Sequence, residues 1–285
     1  MEPGALTPWL LVVKLGLYAS SLLAIGIGLQ VALEVVPAFE RSAKLRAASA
    51  AAIVAIACAL ARLLITNSEL GGGLSEAFDS ASFGWTWRMQ GPATLALIAG
   101  ALAILFAQAR RSRILASAAA TLLAVSFALT GHGQAVSDPF LTPIIVAVHV
   151  AIGGFWFVAP FTLWPQMSVS NEELRRRLDR FSAVAVVAVP LLFGLGAWLA
   201  WRLAGGLSPL LTSLYGQILI AKLVAAAVAL GLGALNKQMI ARPVITEPAR
   251  GRRMLAGSLA LDVALFCTVL LLVGWATTMT GPPDL

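Results

Sequence analysis

Two histidines, His132 and His149, are the residues of this sequence best suited to chemistry. His132 directly follows one long apolar segment, and His149 lies inside the next. A Gly-x-Gly motif surrounds His132, and an Asp-Pro pair and a further proline stand between the two histidines; together they predict a short turn joining two helices. Because an ionisable side chain inside a membrane segment is costly, its presence there indicates a functional site.

The residues around the two histidines favour copper. Imidazole binds copper, iron and zinc, whereas the thioether of methionine favours Cu(I). Met89 and Met279 fall at segment ends predicted to be level with His132, and Asp138 is the nearest carboxylate in the turn. We therefore predict a site for a copper ion whose ligands are drawn from His132, His149, Met89, Met279 and Asp138.

Haem is the alternative cofactor. His132 and His149 would then be the axial ligands of one haem in a membrane redox protein, as occurs between facing helices of a bundle. Lys14, Arg62 and Arg88 lie within snorkelling reach of the same membrane surface. These cations would repel a copper ion but would suit an anion or the haem propionates. In a third hypothesis the chain is a scaffold and both histidines are structural.

Composition identifies the elements that must position these residues. The chain has 285 residues, of which 59% are hydrophobic and 12% charged, and its mean hydropathy is +0.89. These values exclude an ordinary soluble domain. Apolar runs of about 20 residues become helices in a membrane, where every backbone polar group needs an internal partner. We predict an all-α, polytopic integral membrane protein in contact with membrane lipid.

Eight apolar segments predict a single membrane domain over residues 1–285, built as a bundle of eight transmembrane helices without a soluble domain. The segments are Pro8–Leu33, Lys44–Thr66, Trp85–Ala107, Ile114–Gly131, Thr142–Trp164, Phe181–Ala204, Leu214–Asn236 and Met254–Met279.

The basic residues predict the orientation of the bundle. Most of the 20 Lys and Arg residues fall in four alternate connections, after the first, third, fifth and seventh segments. By the positive-inside rule these connections are cytoplasmic, so both termini lie outside. This placement also accounts for the net charge of +7 without nucleic acid as a partner.

A capping motif and a pair of opposite charges give two further predictions. Ser170 and Glu173 stand in capping-box spacing, which predicts a short surface helix whose arginines contact lipid headgroups. Lys222 and Asp262 are opposite charges inside the last two segments. Their predicted depths in the membrane differ by about 10 Å, so a direct ion pair between them would be strained.

Several stretches resemble the copper resistance protein D (CopD) family from about residue 130 to the C terminus. The motifs TGHG and HVAIGGFWF are similar to that family's histidine-bearing hairpin, and RFSAVAVVAVPLLFGLGAWLAW resembles its sixth helix. The most specific stretch is LLTSLYGQILIAKLVAAAVALGLGALNK. Asp262 stands where the family usually has Glu. The first four segments resemble the family only in their number and charge layout.

This resemblance implies a multi-pass protein of the bacterial inner membrane that handles copper between periplasm and cytoplasm and is not an enzyme. The termini would be periplasmic. The family's copper chemistry carries over only to His132 and His149. A separate periplasmic CopC-like protein is the expected copper donor, and the sequence leaves open whether the chain forms a homo-oligomer.

Overall fold

The structure is a computed structural model that describes residues 7–71, 80–130, 138, 140–239 and 243–280. Throughout these residues the secondary structure is helical, with no strand. The helices are α1 Thr7–Ala32, α2 Arg41–Gly71, α3 Ser80–Arg110, α4 Arg113–Ala128, α5 Leu141–Phe157, α6 Ala159–Thr162, α7 Asn171–Leu203, α8 Leu207–Thr212, α9 Leu214–Met239, α10 Pro243–Thr246 and α11 Pro248–Trp275, followed by a π-helical turn at Ala276–Thr280.

The prediction of an all-α membrane protein is confirmed, whereas the number of eight spans is not confirmed. All eight apolar segments contain a helix, but within the described residues six helical stretches are long and apolar enough to cross a membrane. Helix α4 has 16 residues and rises about 24 Å, against a hydrocarbon thickness of about 30 Å. The count of eight spans and the outside position of the termini stay predictions.

The helices pack as two groups. Helices α1 to α4 share one apolar core, in which alanines of α2 and α4 such as Ala48, Ala52, Ala116 and Ala120 are completely buried. Small side chains let these backbones approach closely, as expected in lipid. Residues of α5, α7, α9 and α11 form a second core. Helix α5 lies between the two groups and also packs against α1.

Two glycines fix the crossing of α1 and α5. A Cβ atom added to Gly26 would lie 2.1 Å from the carbonyl oxygen of Gly154, so no side chain fits between the backbones. The buried amide of Gln30 strengthens the same contact by donating a hydrogen bond of 2.9 Å to the carbonyl of Phe155. Helix α5, which carries His149, is therefore held at close range against α1.

The basic connections meet at one end of the bundle. Arg177 pairs with Glu40 at 2.7 Å and with Glu173 at 3.3 Å, and Lys44 donates to the carbonyl of Phe161 at 2.7 Å. These contacts join connections that the charge pattern assigned to one side of the membrane. Which side this end faces stays a prediction.

The expected short surface helix is wrong in one respect. Ser170 does cap a helix, since its Oγ accepts a hydrogen bond from the Glu173 amide at 3.2 Å. That helix is not separate, however, because α7 continues through the sixth apolar segment for 33 residues. Arg177, expected at the lipid headgroups, is only 4% exposed and ion-paired.

Candidate functional site

Two neighbouring cavities, each partly open to the outside, lie among the helices of the bundle. The first, of about 280 Å³, is lined by His149, Lys222 and mainly aliphatic and aromatic side chains; we call it the His149 cavity. The second, of about 410 Å³, is lined by Lys14, Arg62 and several neutral polar side chains; we call it the Lys14 cavity. Tyr18 and Phe127 line both cavities, and their ring centroids lie 5.8 Å apart. This ring pair therefore separates the two spaces.

His149 fits into a notch on the neighbouring helix α7. Position 196 is a glycine, and a Cβ atom placed there would lie 3.0 Å from His149 Cε1. The Nδ1 atom of His149 is buried, and the hydrogen-bond geometry gives it no partner among the described residues, although the backbone of Leu192 lies beside the imidazole. A buried polar atom without a partner carries a desolvation cost. A metal ion or a haem iron at this nitrogen would supply the missing partner.

Lys222 faces the same cavity from α9, whereas Asp262 lies on α11. The two side chains form no ion pair within 4.0 Å, in line with the strain expected from their different depths. Asp262 is 4% exposed, and its Oδ1 atom has no hydrogen-bond partner. Few of the residues that line the His149 cavity carry polar groups, chiefly His149, Lys222 and Tyr18.

The Lys14 cavity lies toward the opposite end of the bundle from the basic connections. Lys14 Nζ donates to the carbonyl of Thr277 at 2.7 Å. Arg62 donates from Nε to Gln90 Oε1 at 3.0 Å and from Nη2 to Thr130 Oγ1 at 2.9 Å. Both cations therefore bond to other parts of the bundle, and their reach to the membrane surface stays a prediction. Arg88, the third cation, is exposed.

The other predicted copper ligands are dispersed or undescribed. His132 lies outside the described residues, so its distance from His149 stays open. Met89 is 45% exposed on α3 and lines neither cavity. Asp138 Oδ1 accepts hydrogen bonds from the amides of Phe140 at 3.2 Å and Leu141 at 2.9 Å, at the start of α5. Met279 belongs to the π-helical turn, and its side chain lies outside the part of the chain that the structure describes.

Among the described residues, no group of three or more His, Cys, Asp or Glu side chains comes together in the manner of a metal site. The described part of the proposed site therefore consists of one histidine and the cavity that it faces.

Sequence reasoning missed three residues of this region. Tyr18 separates the two cavities, Gln90 orients Arg62, and Gly196 makes room for the imidazole. A signal existed for the first two, since each is a polar side chain in an otherwise apolar run. Gly196 gave no distinct signal, because glycines are common in these helices for packing alone.

Comparison with known protein families shows which family the chain belongs to. Residues 5–138 match the N-terminal domain of copper resistance protein D-like proteins, and residues 175–276 match copper resistance protein D. The chain belongs to the copper resistance protein D family. Both matches agree with the two helix groups, since the first covers α1 to α4 and the second extends from within α7 to the end of α11.

Family membership and the apolar helices make this a multi-pass protein of the bacterial inner membrane associated with copper resistance. The N-terminal match also corrects an expectation, because family similarity in the first four helices extends beyond their number and charges. His132 falls within that match, whereas His149 lies between the two matched regions. No match is found among curated proteins or among solved structures.

Proposed function

We propose that the protein carries copper ions inward from the periplasm, with His132 and His149 binding the ion in succession. One observation carries the proposal: in a family named for copper resistance, a buried histidine nitrogen without a hydrogen-bond partner among the described residues borders a cavity between the helices. Imidazole nitrogen is a common copper ligand. A transporter needs such a site between the two membrane faces, and His149 supplies one candidate.

The neighbouring cavity supports a route to His149. Both cavities border Tyr18 and Phe127, so movement of this ring pair would connect them. The ion would enter from the end of the bundle opposite the basic connections, which the charge pattern predicts to be periplasmic. A CopC-like protein would deliver copper there. Met89, Met279 and Asp138 would assist at the entrance, and no catalytic step is required.

Metal analysis of the purified protein tests the binding step. We expect stoichiometric copper in the wild-type protein and its loss in His149→Ala. The matched control is Cys267→Ala, which removes an exposed, metal-competent sulfur that lines neither cavity. Copper retained in full by His149→Ala would overturn the role of this histidine, provided that the variant elutes as a folded species.

A haem protein is the second candidate, because cations border the neighbouring cavity and aromatic side chains, including Trp156 and Phe157, line the cavity that His149 faces. His132 and His149 would be the axial ligands, with the propionates toward Lys14 and Arg62. An absorption spectrum of the same sample separates the candidates. A Soret band with matching iron would replace copper transport by electron transfer, whereas copper without a Soret band supports transport.

A further inference from the structure

We propose that the Lys14 cavity binds an oxyanion, a carboxylate or phosphate group held between Lys14 and Arg62. The proposal depends on Lys14 and Arg62 rather than on the two histidines, although the same cavity is the proposed route of copper toward His149. Anion recognition by a lysine and an arginine is physically direct, since their charge-assisted hydrogen bonds to carboxylate or phosphate are among the stronger ones in proteins.

Among the described residues, neutral groups orient the two cations. The acceptors of their hydrogen bonds are the Thr277 carbonyl, the Gln90 amide oxygen and the Thr130 hydroxyl. An ammonium group has three N–H donors and a guanidinium group has five. Each cation therefore has donors beyond those used in these bonds. The partners fix the direction of the side chains without neutralising their charge.

Within the described residues, no carboxylate lies within 4.0 Å of Lys14 or Arg62. Glu69 acts on Lys14 only at longer range, and its side chain is exposed at the far end of α2. Two like charges that face one poorly solvated space repel each other, and this repulsion is stronger there than in water. A bound anion would convert the repulsion into two attractions.

The lining of the cavity suits an amphipathic ligand. Three residues that carry hydroxyl groups, Tyr18, Tyr215 and Ser126, line it together with the two cations. Leu10, Leu97 and other apolar side chains form the remaining wall. The polar part alone fits free phosphate or a small carboxylate, and the polar and apolar parts together fit the headgroup region of an anionic lipid. The recognised chemistry is the same in both cases.

Two measurements on the full-length protein distinguish these sources. In nanodiscs of phosphatidylcholine, inorganic phosphate is titrated at constant ionic strength set by chloride, and saturable stabilisation against heat reports binding. In nanodiscs that contain phosphatidylglycerol, native mass spectrometry counts the lipid molecules that the protein retains. Binding of phosphate identifies a free oxyanion, and retention of phosphatidylglycerol alone identifies a lipid headgroup; either result supports the site.

Variants decide whether the cavity is responsible. We expect Arg62→Gln and Lys14→Gln each to weaken binding at least tenfold, and Arg62→Lys to retain most of it. The matched control is Arg88→Gln, because Arg88 is an exposed cation near the same end that lines neither cavity. If Arg62→Gln does not fold, Lys14→Gln provides the test, since its one described bond is to a backbone carbonyl.

Three results would overturn the proposal. The first is that neither phosphate nor phosphatidylglycerol binds. The second is that Lys14→Gln and Arg62→Gln bind as well as the wild-type protein. The third is that Arg88→Gln loses as much binding as the cavity variants, which would indicate general attraction to a basic surface.

Discussion

At the scale of single residues, the position of His149 depends on the absence of a side chain at Gly196. The imidazole carbon Cε1 would lie 3.0 Å from a Cβ atom at that position, closer than ordinary van der Waals contact. An alanine there would push the imidazole away by a few tenths of an ångström or tilt it. Because metal ligands must hold their geometry closely, such a shift affects binding more than folding.

We therefore expect Gly196→Ala to weaken copper binding severalfold while the protein remains folded. Gly194→Ala is the matched control on the same helix, since a Cβ atom added there meets nothing within 4 Å. Alanine stabilises a helix relative to glycine by about 1 kcal/mol, so neither variant should melt earlier for reasons of helix propensity. Copper titration of both purified variants checks this. Equal affinity in the two variants would contradict the predicted role of the notch.

At the scale of helices, the sequence predicts where the elements lie far better than how their faces turn. Long apolar runs locate all eight segments because a membrane leaves the backbone few alternatives. The break after α5 at Val158 was not predicted, although Pro160, which cannot donate a backbone hydrogen bond, stands just beyond it. The predicted surface helix is the first part of α7, because no helix-breaking residue stands near Arg180 and Phe181.

The hydrogen-bond partners of Lys14 and Arg62 within the bundle could not be predicted from the sequence. Snorkelling depends on which face of a helix meets lipid, and that face is set by neighbouring helices rather than by the local pattern. The same limit applies to the candidate site. The sequence identifies His149 as an unusual residue, but its unpartnered Nδ1 atom and its contact with Gly196 arise only from the packing of α5 against α7.

The end of α7 that carries Arg177 gives a prediction about stability. Arg177 is buried between Glu40 and Glu173, and removing one partner of a buried ion pair typically costs about 3–5 kcal/mol. We expect Arg177→Leu to lower the free energy of unfolding by an amount of that order. Arg250→Leu is the matched control, because its partner Glu247 is exposed and such surface pairs contribute about 1 kcal/mol or less. Denaturant unfolding in detergent measures both, and equal losses would contradict this assignment.

At the scale of the whole molecule, His149 lies where the two helix groups meet. Its cavity is lined from the first group by Tyr18 and Phe127, and from the second by residues of α7, α9 and α11 such as Lys222. The two family matches divide the chain at the same place, with α5 between them. An ion that crosses the bundle through this cavity would therefore pass between the groups.

The central claim is that copper crosses the membrane through His149, and uptake by reconstituted vesicles tests it most directly. Vesicles that contain the wild-type protein should accumulate copper faster than protein-free vesicles. Vesicles that contain His149→Ala should match the protein-free rate, and Cys267→Ala should match the wild-type rate. Wild-type accumulation by a folded His149→Ala protein would contradict the claim.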